Sequence, residues 1–188
     1  MYKKFAAIGL STIFITGCVT PAESSVLKVT AQAVNYENPT PILQKVASDR
    51  AISIKNMRIQ NNKSEVSGAI KKLKSHVGKT WYVFSGSTPS GWDCSGLTMW
   101  FYEQMGINLE HRASKQEHAG EYTKDPLPGD LVVFKYSGNE SAYHVGIYIG
   151  NGKMIHAPKK GHVTRTESIK TFGGNYSDIL YVRMLELS

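Results

Sequence analysis

Apolar and polar residues follow two different rhythms along the chain, and the change falls near residue 126. Before it, Val66, Ile70, Leu73 and Val77 recur at helical spacing, which predicts a helix that Asn62 and Glu65 can cap and Gly78 can end. Leu97, Phe101 and Met105 share a face of a second predicted helix, beginning near Cys94 and ending at Gly106. A short third helix is expected around Ser114 to Ala119. After the turn sequence Pro126-Leu127-Pro128-Gly129-Asp130, strand-like runs cover Leu131 to Tyr136, Tyr143 to Ile149, Lys153 to Ala157, His162 to Thr166 and Ile179 to Met184. Helices first and an antiparallel meander afterwards predict an α+β fold.

Upstream of residue 64 the pattern loosens. Val19 to about Lys63 carries Pro21, Pro39, Pro41 and many Ser, Thr and Asn, and its first part reads as a tether. Within it the sequence suggests a short helix over Pro41 to Ala51 and a brief strand at Ile52 to Ile54. The N-terminus differs again: Lys3 and Lys4 precede the uncharged run Phe5 to Ile15, then Thr16-Gly17-Cys18. A cationic start before an apolar run too short to span a bilayer has the build of a secretory signal. Ile15-Thr16-Gly17-Cys18 resembles the lipobox of bacterial lipoproteins, which implies that Cys18 is acylated and becomes the new N-terminus. The expected organisation is a signal over 1–17, a lipidated tether and N-terminal extension over 18–63 and a folded domain over 64–188. Two or three acyl chains, at about 0.8 kcal/mol per buried CH2, would hold the protein stably on a membrane. Val19 is not a retention signal of the aspartate kind, so the expected location in a two-membrane cell is the outer membrane, facing the periplasm.

Composition narrows this picture. A chain of 188 residues with 41% hydrophobic and 20% charged residues suits one domain with an appendage, and excludes wholesale disorder and a polytopic membrane protein. The formal charge is +7, and loss of Lys3 and Lys4 with the signal leaves +5. That suits an anionic surface without choosing among nucleic acid, lipid headgroups and cell wall. The two cysteines allow one disulfide; with Cys18 acylated, Cys94 is instead a free thiol in an exported protein, which needs a chemical reason.

That reason lies in Gly91-Trp92-Asp93-Cys94-Ser95-Gly96-Leu97, where a loop turns into a helix. A thiol at a helix N-terminus faces unpaired N–H groups and the positive end of the dipole, which favour thiolate. A histidine can act as its general base, and His144 and His156 are the candidates. They share a sheet face if a three-residue loop, Gly150-Asn151-Gly152, pairs Tyr148 with Met154 and Gly146 with His156. A two-residue loop, Asn151-Gly152, would place them on opposite faces. One Cys and two His could also bind zinc, but they lack the paired spacing of a zinc site, and neither a metal nor another cofactor is expected.

Five segments carry a family resemblance: Tyr82-Val83-Phe84-Ser85-Gly86, Asp93-Cys94-Ser95-Gly96-Leu97, Pro128-Gly129-Asp130-Leu131-Val132, His144-Val145-Gly146-Ile147-Tyr148-Ile149-Gly150 and Ile155-His156-Ala157. In this order they resemble the NlpC family of papain-like cell-wall cysteine peptidases, over roughly Ser64 to Met184. The resemblance implies N-terminal helices packed on an antiparallel sheet of about five to six strands, with Cys94 as nucleophile, His144 as base and His156 as the residue that orients His144. It further implies that Tyr82, Asp93 and Ser95 contact substrate, and that the enzyme hydrolyses peptidoglycan stem peptides or cross-links through a thioester, most often at a γ-D-glutamyl-diamino acid bond. The alternative is an envelope adaptor that keeps the fold and binds peptidoglycan without cutting it. No nucleic-acid partner is implied, and a regulatory protein is left open. Ser85 stands where the family usually has glycine, and His111 stands before Arg112 where proline is common, so Arg112 and Gln116 are left out of the expected site. Trp92 is expected at the cleft and Trp100 in packing, with His76, His118 and His162 as surface residues.

Overall fold

A helix of 34 residues, α1 (Pro41–Lys74), occupies the stretch where the sequence predicts a helix, a strand and a second helix. The computed structural model describes residues 40–175 and 177–188, nearly all of them in one unit, Ile42–Ser188. The expected signal, the lipid site Cys18 and the tether through residue 39 lie outside the described residues. Pro41 opens α1 at the first turn, where a missing N–H costs nothing. Ile52 and Ile54 are helical rather than extended: no described strand pairs with them, and a β-branched residue costs a helix only about 0.5 kcal/mol. Asn62, the expected cap, sits mid-helix and donates its side-chain amide to the Glu186 carbonyl (2.9 Å). Ile59, Val66, Ala69, Ile70 and Leu73 form the buried stripe, so the second half of α1 enters the core while Ile42, Ile52, Ile54 and Met57 stay exposed.

Beyond α1 a turn places Gly78 in the left-handed region (φ +76°), with its N–H donating to Thr164 O at 2.8 Å. A small hairpin, β1 (Ser87–Thr88) and β2 (Gly91–Trp92), leads directly into α2 (Cys94–Glu103). Gly106 (φ +73°) then turns the chain out of the helical region as its sequence predicts, and the short α3 (Ala113–Gln116) follows.

The remaining strands are β3 (Glu121–Thr123), β4 (Leu131–Tyr136), β5 (Ala142–Gly150), β6 (Lys153–His156), β7 (Arg165–Ser168) and β8 (Ser177–Arg183), with α4 (Ile169–Gly173) between the last two. They form a six-stranded antiparallel sheet in the order β3-β8-β4-β5-β6-β7, giving the expected α+β arrangement. Leu131, Val132, Val133 and Phe134 of the interior strand β4 are all buried, because both sheet faces are covered. One face packs Leu131, Val133, Val145 and Ile147 against Val66, Leu73, Leu97 and Phe101 of the helices. On the other, Val132, Phe134 and Met154 meet Ile169 and Phe172.

Two differences from the expected strands matter for the site. The β5–β6 loop is the two-residue Asn151-Gly152, with both residues at positive φ (51° and 66°) and Gly150 paired to Lys153. His144 and His156 nevertheless share a face, because a register shift between Tyr148 and Gly150 inserts one extra residue into β5. Tyr148 still pairs with Met154. The parity expected of a three-residue loop is therefore supplied by a two-residue loop and a bulge. The strand expected at His162 to Thr166 instead begins at Arg165, because the preceding residues bond the loop after α1. Tyr82 N donates to His162 O (2.9 Å), Thr164 N to Thr80 O (2.8 Å), and Trp81 bridges Val163.

Candidate active site

Asp93 sets the geometry from which the site is built. Its backbone is extended and its carboxylate caps α2, accepting from Gly96 N at 2.8 Å. The same oxygen accepts from Ser95 Oγ (3.0 Å) and His111 Nε2 (2.8 Å), and the other from Ser85 N (2.9 Å). Ser85 holds φ at 58°, a left-handed conformation that favours glycine, and its bond to Asp93 helps keep it there. Gly96 is required by close approach: a Cβ there would lie 2.0 Å from Gly86 O. The hairpin loop is thereby drawn against the first turn of α2, where Cys94 is a free, half-buried thiol.

The amide of Val145 in β5 points at the Cys94 sulfur, as do those of Ser95 and Cys94 itself, and all three pull the thiol pKa down. Burial outweighs them and the nearby Asp93 charge opposes them, so the thiol is pushed up to about 11. The thiolate expected from the helix N-terminus is therefore not the resting form at neutral pH; desolvation costs more than the three amides return. Tyr82 lies at the same place: burial raises its phenol, and the Cys94 and Asp93 charges raise it further.

His144 neighbours Val145, and its Nε2 lies 2.8 Å from His156 Nδ1 with the rings edge to face at 89°. His156 Nε2 in turn lies 3.0 Å from Glu167 Oε2, and Arg165 grips the same oxygen through Nε (3.0 Å) and a terminal nitrogen (2.7 Å). Three adjacent strands thus place these groups on one face: His156 pairs with Arg165, and Glu167 stands one diagonal step away. Gly146 keeps the face open between the two rings, since a Cβ there would lie 3.1 Å from His156 Cβ and 2.9 Å from Met154 Sδ. Phe172 of α4 covers both imidazoles, with ring centroids at 4.6 and 4.7 Å. Burial, then the neighbouring His156, holds His144 well below the ordinary histidine value. Burial brings His156 down to about 4 although Glu167 works in the opposite direction.

The structure thus brings His144 and His156 into direct contact and sets Cys94 against the backbone of the residue next to His144. No hydrogen bond joins the sulfur to His144 among the described residues. His144 Nδ1 is nonetheless the nitrogen left free for it, since Nε2 is engaged by His156. Every buried side-chain nitrogen and oxygen among the described residues has a partner, so Nδ1 opens to accessible surface although His144 is only 4% exposed.

Other expectations change. Trp92 does not line a cleft: it is fully buried, donates Nε1–H to Thr164 Oγ1 (2.6 Å) and packs against Trp100 and His76. His76 is accordingly a half-buried packing residue rather than a surface one, and its Nδ1 lies 3.2 Å from Thr80 Oγ1. Gln116 has no exposure; it accepts from Thr98 and donates to the Ser95 and Glu110 carbonyls, bracing the start of α2 against α3. Glu167 is absent from the site that the sequence predicts. Its signal was present in the alternation Arg165-Thr166-Glu167, which puts both charges on one face of a strand following His156.

A family model described as the NlpC/P60 family matches residues 78–183. The chain belongs to the NlpC/P60 family. Murein DD-endopeptidase MepH of Escherichia coli is 37% identical over 107 residues, 54% of this chain and 39% of that protein. A protein of Mycobacterium tuberculosis named probable endopeptidase is 40% identical over 97 residues, 50% of this chain and 24% of its own length. The chain thus spans well under half the length of either relative. The crystallised NlpC/p60 domain of the peptidoglycan hydrolase SagA superposes with a TM-score of 0.55 at 31% identity, over 63% of this chain and 98% of that one. The helices packed on a six-stranded sheet are therefore the NlpC/P60 fold, and Cys94, His144 and His156 all lie inside the matched residues.

Proposed function

We propose that this protein is a cysteine endopeptidase that hydrolyses peptidoglycan peptides, with Cys94 as nucleophile, His144 as general base and His156 as its orienting partner. The observation that carries the reading is the 2.8 Å contact from His144 Nε2 to His156 Nδ1, which commits one imidazole nitrogen to orientation and leaves the other for the thiol beside Val145. Relatives named endopeptidase and peptidoglycan hydrolase support the substrate class.

In this mechanism the resting pair is neutral. As a substrate carbonyl arrives, His144 Nδ1 takes the thiol proton and the sulfur attacks, giving a tetrahedral oxyanion near the amides at the start of α2. Tyr82 donates a further hydrogen bond there. Collapse expels the amine, which takes the proton from His144, and water activated by the same nitrogen then hydrolyses the thioester. We assign substrate contacts to Asp93 and Ser95 as well. The Asp93 carboxylate already accepts from Gly96, Ser95, His111 and Ser85, so a substrate amino group would take the place of His111, the most exposed of the side-chain donors. A γ-D-glutamyl-diamino acid bond is the proposed cleavage point.

The lipid anchor at Cys18 and an outer-membrane location facing the periplasm complete the proposal, supported by the signal-like run before Ile15-Thr16-Gly17-Cys18 and the basic balance of the chain. Sacculi incubated with the full-length chain in detergent, followed by mass spectrometry, test the activity. Release of shortened stem peptides or opened cross-links is expected; unchanged sacculi that retain bound protein would replace the enzyme with an adaptor. Intact mass of the membrane-extracted protein tests the anchor: an acylated Cys18 is expected, and an unmodified chain beginning elsewhere would refute it.

A further inference from the structure

The pair His144–His156 continues into a carboxylate, and the carboxylate decides where the protons sit. We infer that Glu167, held by Arg165, is a positioning residue that fixes the tautomers of both histidines and so leaves His144 Nδ1 unprotonated toward Cys94. The inference rests on the proposed Cys94–His144 chemistry but adds a residue to it.

An ionised carboxylate can only accept, so the 3.0 Å contact requires the proton of neutral His156 to lie on Nε2. His156 Nδ1 is then a lone pair, and the 2.8 Å contact requires His144 to donate from its own Nε2. Neutral His144 thereby carries its lone pair on Nδ1, the nitrogen that opens to accessible surface. The other tautomer of His144 would set two lone pairs against each other at 2.8 Å and place a proton where the base must accept one. Arg165 directs the Glu167 carboxylate inward through two contacts to Oε2, both from the same strand β7. When His144 takes the thiol proton, the new positive charge faces His156 Nδ1, with the Glu167 carboxylate behind it. Glu167 thus both orients the base and stabilises its protonated form, without touching the reacting atoms.

Nitrogen-15 spectra of the full-length chain in detergent at pH 8, labelled at histidine, read the tautomers without recourse to activity. Both His144 and His156 are expected to carry their proton on Nε2. In Glu167→Ala, His144 is expected to become a mixture of tautomers, kcat on a soluble muropeptide to fall roughly 10- to 100-fold with KM little changed, and the acid limb of the rate profile to move to lower pH. Glu167→Gln retains an oxygen acceptor but no charge, so it should restore the tautomers while leaving the acid limb displaced. A wild-type His144 protonated on Nδ1, or a Glu167→Ala variant with unchanged tautomers and acid limb, would overturn the assignment. Absence of turnover by the wild type would count against the peptidase reading alone, because the tautomer spectra are read independently.

Discussion

His144 Nε2 and His156 Nδ1 stand 2.8 Å apart, although only two residues separate the paired ends of the strands that carry them. The extra residue of β5 between Tyr148 and Gly150 is what makes this contact available, since an uninterrupted two-residue hairpin would send the rings to opposite faces. Deleting Ile149 should therefore abolish activity far beyond any loss of stability. Matched thermal unfolding and turnover of the deletion variant check this; retained activity would show that the bulge does not set the parity.

The orienting role proposed for His156 predicts a graded series. His156→Ala removes the partner of His144 and should lower kcat by roughly 10^2- to 10^4-fold, as expected when a base loses its orienting group. His156→Asn keeps a short acceptor and should lose less. Steady-state kinetics on a purified muropeptide distinguish the two, and wild-type rates for both variants would remove His156 from the mechanism.

Burial pushes the Cys94 thiol up to about 11, so the free enzyme should contain almost no thiolate at pH 7. Alkylation by iodoacetamide should be slow at neutral pH and accelerate toward pH 10 and above. A plateau near pH 6 would instead reveal a preformed thiolate–imidazolium pair.

The two histidines also give stability a pH dependence of definite sign. His156 is brought from an ordinary value of 6.5 down to about 4, so between those values the unfolded chain binds more protons than the folded one. Stability is thus complete above about pH 6.5 and lost as pH falls toward 4, by about 3 kcal/mol from this residue, and His144 acts in the same direction. Urea unfolding at pH 7.5, 6, 5 and 4 should show this fall. A His156→Gln variant should show a shallower one, and a slope unaffected by the substitution would assign the loss to other groups.

Gly146 and Gly96 should tolerate no side chain, for different reasons. A Cβ on Gly96 would lie 2.0 Å from the Gly86 carbonyl oxygen, a backbone atom that can yield only by moving the loop that carries Ser85. Gly96→Ala should therefore reduce both stability, by roughly 1 to 3 kcal/mol as in other overpacked sites, and activity. At Gly146 the obstacles are the Met154 sulfur and the His156 side chain, so Gly146→Ala should cost activity more than stability. Comparing unfolding midpoints with kcat separates these outcomes.

Much of this architecture is legible in the chain, and its failures have physical causes. Leu97 and Phe101 follow a helical period and are both fully buried, and the apolar run Leu131 to Phe134 is a strand because both sheet faces are covered. Ile52 and Ile54 mislead because strand propensity has no effect without a partner strand, while helix propagation through residues 52–62 needs only the absence of proline and glycine. The site residues Cys94, His144 and His156 are readable as a constellation, but the state of the thiol is not: the helix N-terminus is visible in sequence, whereas the burial that overrides it depends on how β5 packs over α2. Glu167 eluded the sequence because its role depends on where β7 begins. That start is set by the bonds of His162 and Thr164 to the loop holding Thr80 and Tyr82.

In the proposed mechanism Cys94 forms a covalent thioester with the acyl half of a cleaved peptidoglycan peptide. Rapid acid quenching of the full-length chain with a muropeptide, followed by intact and peptide mass spectrometry, tests it most directly. An adduct with the mass of the acyl portion of the substrate is expected on the peptide containing Cys94, disappearing as product forms and absent from Cys94→Ala. Undiminished product formation by Cys94→Ala, or turnover by the wild type with an adduct on a different residue, would contradict it.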